Sequence, residues 1–155
     1  MRRLCWAMLA ACLLAFACPP AIVRAAPNRC TVRVTPVTFP PYNPLSSFGV
    51  WGRGAVSFKC SQSHPIMVLL GASQGGPATD RRMRQGRSAL RYNLCLDAGC
   101  EVIWGDGSGG SQFYSNPAPP AGTRVTVPIY GRIPARQTHA KAGLYEDSLV
   151  VTTIF

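Results

Sequence analysis

Residues 143–155 read GLYEDSLVVTTIF, and this stretch decides how the rest of the chain is interpreted. From residue 144 onward it is rich in Val, Thr, Ile and aromatic residues, which favours a β-strand. The period of two in a strand predicts one inward face, formed by Leu149, Val151, Thr153 and Phe155. Because the sequence ends within this predicted strand, the strand's second edge and the apolar face beneath it need a cover from elsewhere.

Short alternating runs recur upstream of this stretch, separated by clusters of Gly, Pro and Asn. Almost no segment has a helical period, so the pattern predicts an all-β sandwich or barrel. The five upstream strands are predicted at TVRVTPVTF (31–39), GAVSFKC (54–60), PIMVLLG (65–71), SALRYNLCL (88–96) and RVTVPIYG (124–131). A sandwich needs about seven strands. Either one strand is missing, or it lies unrecognised in the Gly-rich segments between these runs.

The first 25 residues are predicted to be a Sec signal peptide. MRR precedes an apolar run that is too short to span a bilayer, and VRA ends at Ala25 with small residues at the −3 and −1 positions. A membrane anchor and a lipoprotein attached through Cys18 are the alternatives. Residues 26–155 would then form one exported domain of ordinary size, with no linker and no transmembrane span.

Four cysteines remain after the predicted cleavage, and they are Cys30, Cys60, Cys95 and Cys100. In an oxidising compartment an even number favours two disulfides, with three possible pairings. Cys30 opens the first strand and Cys60 closes the second, so antiparallel pairing of these strands would place them side by side. Cys95 and Cys100 flank the turn-like LDAG. A zinc site is the weaker alternative, because neither His64 nor His139 has ligand spacing from the cysteines.

Basic residues predominate, and the net charge of +10 falls to +7 without Arg2, Arg3 and Arg24. Outside the cell this charge suits solubility and some affinity for anionic surfaces. The run RRMRQGR is either a solvated loop or a patch for anionic glycans, lipids or nucleic acid, and it contains Arg81, Arg82, Arg84 and Arg87. No aromatic residue interleaves with these arginines, so nucleic acid is not expected.

Tyr42, Phe48 and Trp51, in PPYNPLSSFGVW, are the aromatic candidates for surface contact. Packing over the end of the core explains them equally well.

Catalysis is not expected from this sequence. Six carboxylates and two histidines occur without a G-x-S-x-G, an H-E-x-x-H or a phosphate loop, and no metal or cofactor is predicted. Asp106 in WGDG is interpreted as a turn residue. Tyr145 is expected to be a core or corner aromatic, and Asp147 a structural acceptor.

Several motifs in a fixed order resemble the spore coat protein U domain, the subunit family of archaic chaperone–usher pili. They are the early Cys30 with FPPYNP, GAVSFKC ending at Cys60, ALRYNLCLD, WGDG, VTVPIYGRIPARQ and the terminal AGLYEDSLVVTTIF. Each motif is weak alone. Their order and spacing over nearly all of residues 26–155 make the resemblance specific.

The resemblance implies an immunoglobulin-like sandwich that lacks its final strand and is completed by a donated strand. The implied partners are a periplasmic pilus chaperone, an outer-membrane usher and a neighbouring pilus subunit that acts as strand donor. The groove for the donated strand would be lined by Leu149, Val151, Thr153 and Phe155. The implied location is the periplasm in transit and then the cell surface or the exterior.

Only APNR (26–29) lies between the predicted cleavage site and Cys30, where strand-donating members of this family have a longer alternating extension. We therefore expect a chain that accepts a strand and does not donate one, which suits a fibre end with an adhesive role. A free secreted or surface-coat protein that binds matrix or carbohydrate is the alternative. A small secreted hydrolase is less favoured.

Overall fold

The computed structural model describes residues 28–155, which form an all-β fold without helices in that range. The predicted signal peptide lies outside the described residues. The strands are β1 (Cys30–Thr38), β2 (Val50–Cys60), β3 (Ile66–Leu70), β4 (Arg81–Gln85), β5 (Ser88–Cys95), β6 (Tyr114–Asn116), β7 (Arg124–Ile133) and β8 (Val151–Ile154).

Two antiparallel sheets form an immunoglobulin-like sandwich. The five-stranded sheet has the order β1-β2-β7-β5-β4, and the three-stranded sheet has the order β6-β3-β8. Their inner faces share one core, in which Val56 and Phe58 of β2 pack with Ile66 and Val68 of β3. The predicted all-β sandwich is confirmed.

All six predicted strands are present, but two strands were missed and one was too long. The strand β4 lies in the arginine-rich segment that was predicted to be a loop, and β6 follows the Gly-rich segment. The last strand covers only Val151–Ile154 rather than residues 144–155. Residues 144–150 instead cross between the sheets, and Glu146 forms an isolated bridge with Arg84 of β4.

Both predicted disulfides are present in the structure. Antiparallel pairing of β1 with β2 places Cys30 opposite Cys60, and the two are bonded. Cys95 and Cys100 close the short loop after β5. Pro36 lies where the β1–β2 register shifts between Thr35 and Thr38, as expected for a proline on an edge strand.

Phe39 closes one end of the core by filling a space above two glycines. Gly52 of β2 and Gly131 of β7 are directly opposite each other. A Cβ at Gly52 would lie 2.7 Å from Phe39 Cδ1, and one at Gly131 would lie 2.6 Å from Phe39 Cζ. The ring also contacts Tyr92 edge-on, with centroids 6.1 Å apart. Because neither glycine has a Cβ atom, the Phe39 ring fits against the sheet and anchors the chain that follows β1 to the core.

Candidate functional site

The two sheets each leave one strand edge free on the same side of the sandwich. The strand β8 pairs with β3, and no other strand of residues 28–155 pairs with it. The strand β1 likewise pairs only with β2 in this part of the chain. Residues 34–42, from the second half of β1 onward, and residues 143–149, which lead into β8, border one groove. An unpaired edge presents a row of backbone N–H and C=O groups that can pair with another strand.

The groove has a volume of about 950 Å³ and a floor made of core side chains. One wall is formed by residues 34–42, and the other by residues 143–149 together with Val151. The floor is apolar apart from one tyrosine hydroxyl, and consists of Leu70, Met83, Leu90, Tyr92, Leu94, Ile129 and Ile133. These floor side chains are at most 8% exposed, so the groove leads down to the core while its walls still shield the core from solvent.

The predicted inward face of the last strand is found in part. Leu149 and Val151 are partly buried, pack against the core and line the groove. Thr153 shares their face but lies beyond the groove wall. Phe155 follows the end of β8 at Ile154, is 52% exposed and does not line the groove as the structure has it. The opposite face is exposed, with Val150 at 71%.

Polar contacts hold the C-terminal wall of the groove in place. The Tyr145 hydroxyl lies 2.8 Å from the Lys141 nitrogen and 3.0 Å from its carbonyl oxygen, which is the corner role that the sequence predicted. Glu146 and Arg84 exchange two backbone hydrogen bonds of 2.8 and 3.1 Å. These bonds anchor the wall to the outer edge of β4, the edge that does not pair with β5.

A third contact joins this wall to the groove floor. The Tyr92 hydroxyl donates a 2.6 Å hydrogen bond to Asp147 Oδ2, so Asp147 is the structural acceptor that was predicted. Burial and the hydrogen bond to Asp147 raise the pKa of Tyr92 well above its usual range. The hydroxyl therefore stays protonated and remains a donor.

The structure corrects the proposed surface role of Arg81. Its side chain is fully buried, because the alternation of β4 turns it inward together with Met83. Its Nη2 donates to the carbonyl oxygens of Leu70, Gly71 and Trp104, at 3.3, 2.9 and 2.8 Å. Burial lowers the pKa of the Arg81 guanidinium. Arg81 thus ties loops together, whereas Arg82, Arg84 and Arg87 are exposed.

The aromatic candidates for surface contact occupy different environments. Tyr42 packs against the core, and its hydroxyl donates to Pro134 O and accepts from Gln137 N, both at 2.9 Å. Its role in the structure is therefore to close the end of the sandwich. Phe48 is 78% exposed in the β1–β2 loop, and Trp51 lies on the outer face of β2. Sequence reasoning missed Leu45, which is equally exposed in the same loop.

Among residues 28–155, no group of three or more His, Cys, Asp or Glu side chains could hold a metal ion. No helix in that range is long and apolar enough to cross a bilayer.

Comparison with known proteins gives a family and a structural neighbour. The model of the Spore Coat Protein U domain family matches residues 19–152. A similar fold occurs in the crystal structure of the CsuC–CsuE chaperone–tip adhesion subunit pre-assembly complex from the archaic chaperone–usher Csu pili of Acinetobacter baumannii. The TM-score is 0.58 at 21% sequence identity, over 83% of this chain and 40% of the other. No curated protein sequence matches at a significant level.

Proposed function

The chain belongs to the Spore Coat Protein U domain family, and from this premise we propose that it is a structural subunit of an archaic chaperone–usher pilus. Its groove accepts a strand from a partner, first from a periplasmic chaperone and then from a neighbouring subunit. An outer-membrane usher exchanges one for the other. The protein passes through the periplasm and becomes part of a surface fibre.

The observation that carries this proposal is the pair of free edges that border one apolar groove. A β-strand laid along β8 would satisfy backbone groups on that edge and close the sheet. Its alternate side chains would fall over Leu70, Leu90 and Ile129 on the groove floor. Backbone hydrogen bonds then supply affinity, and apolar contacts with the floor supply specificity.

An end-of-fibre position with an adhesive role is the finer part of the proposal. It is supported by the fold shared with a complex that contains a tip adhesion subunit. Leu45 and Phe48, both 78% exposed in one loop, supply an apolar contact surface outside the groove. A free surface-coat protein of the same fold would use the same loop without a strand donor.

Co-expression with a candidate chaperone tests the proposal. The protein should co-purify with the chaperone from the periplasm and should be degraded or aggregate without it, because the edges of β1 and β8 then stay unpaired. The matched control is a chaperone whose donor strand carries Asp at the groove-facing positions. It should fail to bind, since an unpaired charge over an apolar floor costs several kcal/mol.

A fused donor strand provides a second measurement. A neighbouring subunit's donor segment, joined to the C-terminus through a flexible linker, should raise the unfolding free energy well above that of the unfused protein. A stable unfused monomer whose stability the donor does not change would contradict strand acceptance. That outcome would favour the free surface-coat protein.

A further inference from the structure

The outer face of the five-stranded sheet is strongly basic. Outward positions of its strands carry eight exposed cations, which are Arg33, Lys59, Arg53, Arg124, Arg132, Arg91, Arg82 and Arg84. No outward position of these five strands is acidic. Carboxylates lie at one corner of this face: Asp80, just before β4, pairs with Arg82 and Arg91 at 2.5 and 2.9 Å, and the exposed Glu146 is opposite Arg84 in a backbone bridge. The groove opens on the opposite side of the sheet, and the bridge between Arg84 and Glu146 lies where the two meet.

The strand register joins these cations into a diagonal stripe. At one end Lys59 of β2 is opposite Arg124 of β7. One row further, Arg33 of β1 is opposite Ser57, and Arg124 Nη1 lies 3.3 Å from the Ser57 hydroxyl. Neighbouring strands are about 5 Å apart, and outward residues on one strand are about 7 Å apart. Charges at this end are therefore spaced by one or two such steps.

The stripe continues through the middle of the sheet to the opposite corner. Arg53 is opposite Tyr130, and Arg132 is opposite Trp51. Arg132 is also opposite Asn93 of β5. Two residues before Asn93 on that strand, Arg91 is opposite Arg82 of β4. Arg84 completes the stripe two residues after Arg82.

Two aromatic rings hold the central arginines in place. The Arg53 guanidinium lies over the Tyr130 ring, and the Arg132 guanidinium lies over the Trp51 ring, each 5.4 Å from the ring centroid. A cation–π contact holds the guanidinium against the ring without using its N–H groups as hydrogen-bond donors to protein acceptors. The N–H groups in its plane stay available for a fork-like bond to a carboxylate or sulfate. The middle of the stripe is thus preorganised for anionic groups.

We propose that this face binds an extended acidic polysaccharide, with carboxylate or sulfate groups along the chain. A flat sheet of five strands is too broad for the grooves of duplex DNA, which admit a helix or a two-stranded ribbon. Single-stranded nucleic acid binds through bases stacked on a series of aromatic faces, and the outward positions of these five strands carry just Trp51 and Tyr130, each with a guanidinium 5.4 Å from its centroid. A linear polyanion needs only a line of cations, and guanidinium groups in that line can bind its carboxylates or sulfates through two parallel N–H bonds.

Binding of polygalacturonate to the full-length exported protein tests the proposal, with neutral dextran, a single-stranded oligothymidylate and anionic phosphatidylglycerol vesicles as comparisons. Arg53→Glu with Arg132→Glu should weaken polygalacturonate binding at least about tenfold, a change of about 1.4 kcal/mol, because both substitutions remove a charged hydrogen-bond donor and add a repelling charge. The matched control is Arg87→Glu with Lys141→Glu, which changes the charge equally at exposed sites outside the stripe. It should weaken binding much less.

A gain-of-binding variant keeps the test independent of folding damage. Asp80→Asn removes the carboxylate that engages Arg82 and Arg91, so binding should tighten severalfold. Equal losses in the two double variants, or unchanged binding in Asp80→Asn, would overturn the proposal. So would tighter binding to the oligothymidylate or to the vesicles than to polygalacturonate.

Discussion

The hydroxyl of Tyr92 and the carboxylate of Asp147 meet 2.6 Å apart at the floor of the groove. One residue belongs to the middle of β5, and the other belongs to the segment that leads into the last strand. This contact joins the five-stranded sheet directly to the groove wall. This charged hydrogen bond and the backbone bridge between Arg84 and Glu146 both hold the wall against the five-stranded sheet.

Tyr92→Phe should lower the unfolding free energy by about 1.5–3 kcal/mol, because a hydrogen bond to a charged group is lost. Asp147→Asn should cost less, since the amide oxygen can still accept. Tyr130→Phe, on the exposed outer face, is the matched control and should change stability by no more than about 0.5 kcal/mol. Urea unfolding measures all three. Equal effects of Tyr92→Phe and Tyr130→Phe would contradict the role of the contact.

Val151→Asp should abolish chaperone capture, because it places a charge where the groove wall meets the core, at a cost of several kcal/mol. Val150→Asp should be mild, since that side chain is 71% exposed on the other face. Chaperone pull-down and soluble periplasmic yield provide the measurement. Equal damage at the two positions would show that β8 is not a one-sided wall.

Removal of the two disulfides should have unequal effects. Replacing Cys30 and Cys60 by Ser opens a loop of 30 residues and should cost about 3.5 kcal/mol in the chain-entropy model. Replacing Cys95 and Cys100 by Ser opens a loop of 5 residues and should cost about 2 kcal/mol. Unfolding of the oxidised variants measures the difference, and non-reducing peptide mapping checks the pairing. Crossed pairs or free thiols in the natural protein would contradict both assignments.

Gly131→Ala should destabilise the fold by about 1–3 kcal/mol, because the new Cβ would overlap the Phe39 ring at 2.6 Å. Combining it with Phe39→Leu should recover part of the loss. Gly99→Ala is the control, since its nearest neighbour is the end of the Asp97 side chain at 3.2 Å. Thermal unfolding gives the comparison. If the double variant loses more unfolding free energy than the two single variants together, Phe39 and Gly131 are not complementary in size.

Stability should fall as the pH drops below about 4, the pKa range of free aspartate. The hydrogen bond from Arg82, with further attraction from Arg91, lowers the pKa of Asp80. Backbone N–H groups of Glu101 and Val102 lower the pKa of Asp97. Near these pKa values the folded state therefore binds fewer protons than the unfolded state. The stability contributed by the two carboxylates is present above the pKa of the unfolded chain and is lost as the pH falls through the lower pKa of the folded state. Asp80→Asn should flatten the pH dependence of urea unfolding, and an unchanged slope would contradict this assignment.

Local alternation was enough to predict the main strands and their inward residues. Val56 and Phe58 on β2, and Leu90 and Leu94 on β5, are buried as the period of two requires. The disulfide between Cys30 and Cys60 followed from strand ends that antiparallel pairing brings together. Each of these features depends on one segment or on one pair of neighbouring strands.

Features that depend on distant segments could not be predicted in this way. The strand β4 was missed because its inward Arg81 has the sequence signature of a surface residue, whereas its Nη2 donates to the carbonyl oxygens of Leu70, at the end of β3, and of Trp104. Residues before Val151 looked like strand, yet Glu146 pairs with one sheet and Val151 with the other. The basic stripe was missed because its arginines come from five strands, and only the register places them together.

The bond between Cys30 and Cys60 also determines how the fold responds to mechanical tension. These residues form the first pair of the β1–β2 ladder, and Cys60 ends a strand that pairs with β7 over ten residue pairs. Tension on the backbone ahead of Cys30 therefore passes through the covalent bond into the interior of the sheet. Peeling of β1 from that end, one hydrogen bond at a time, is blocked as long as the bond is oxidised.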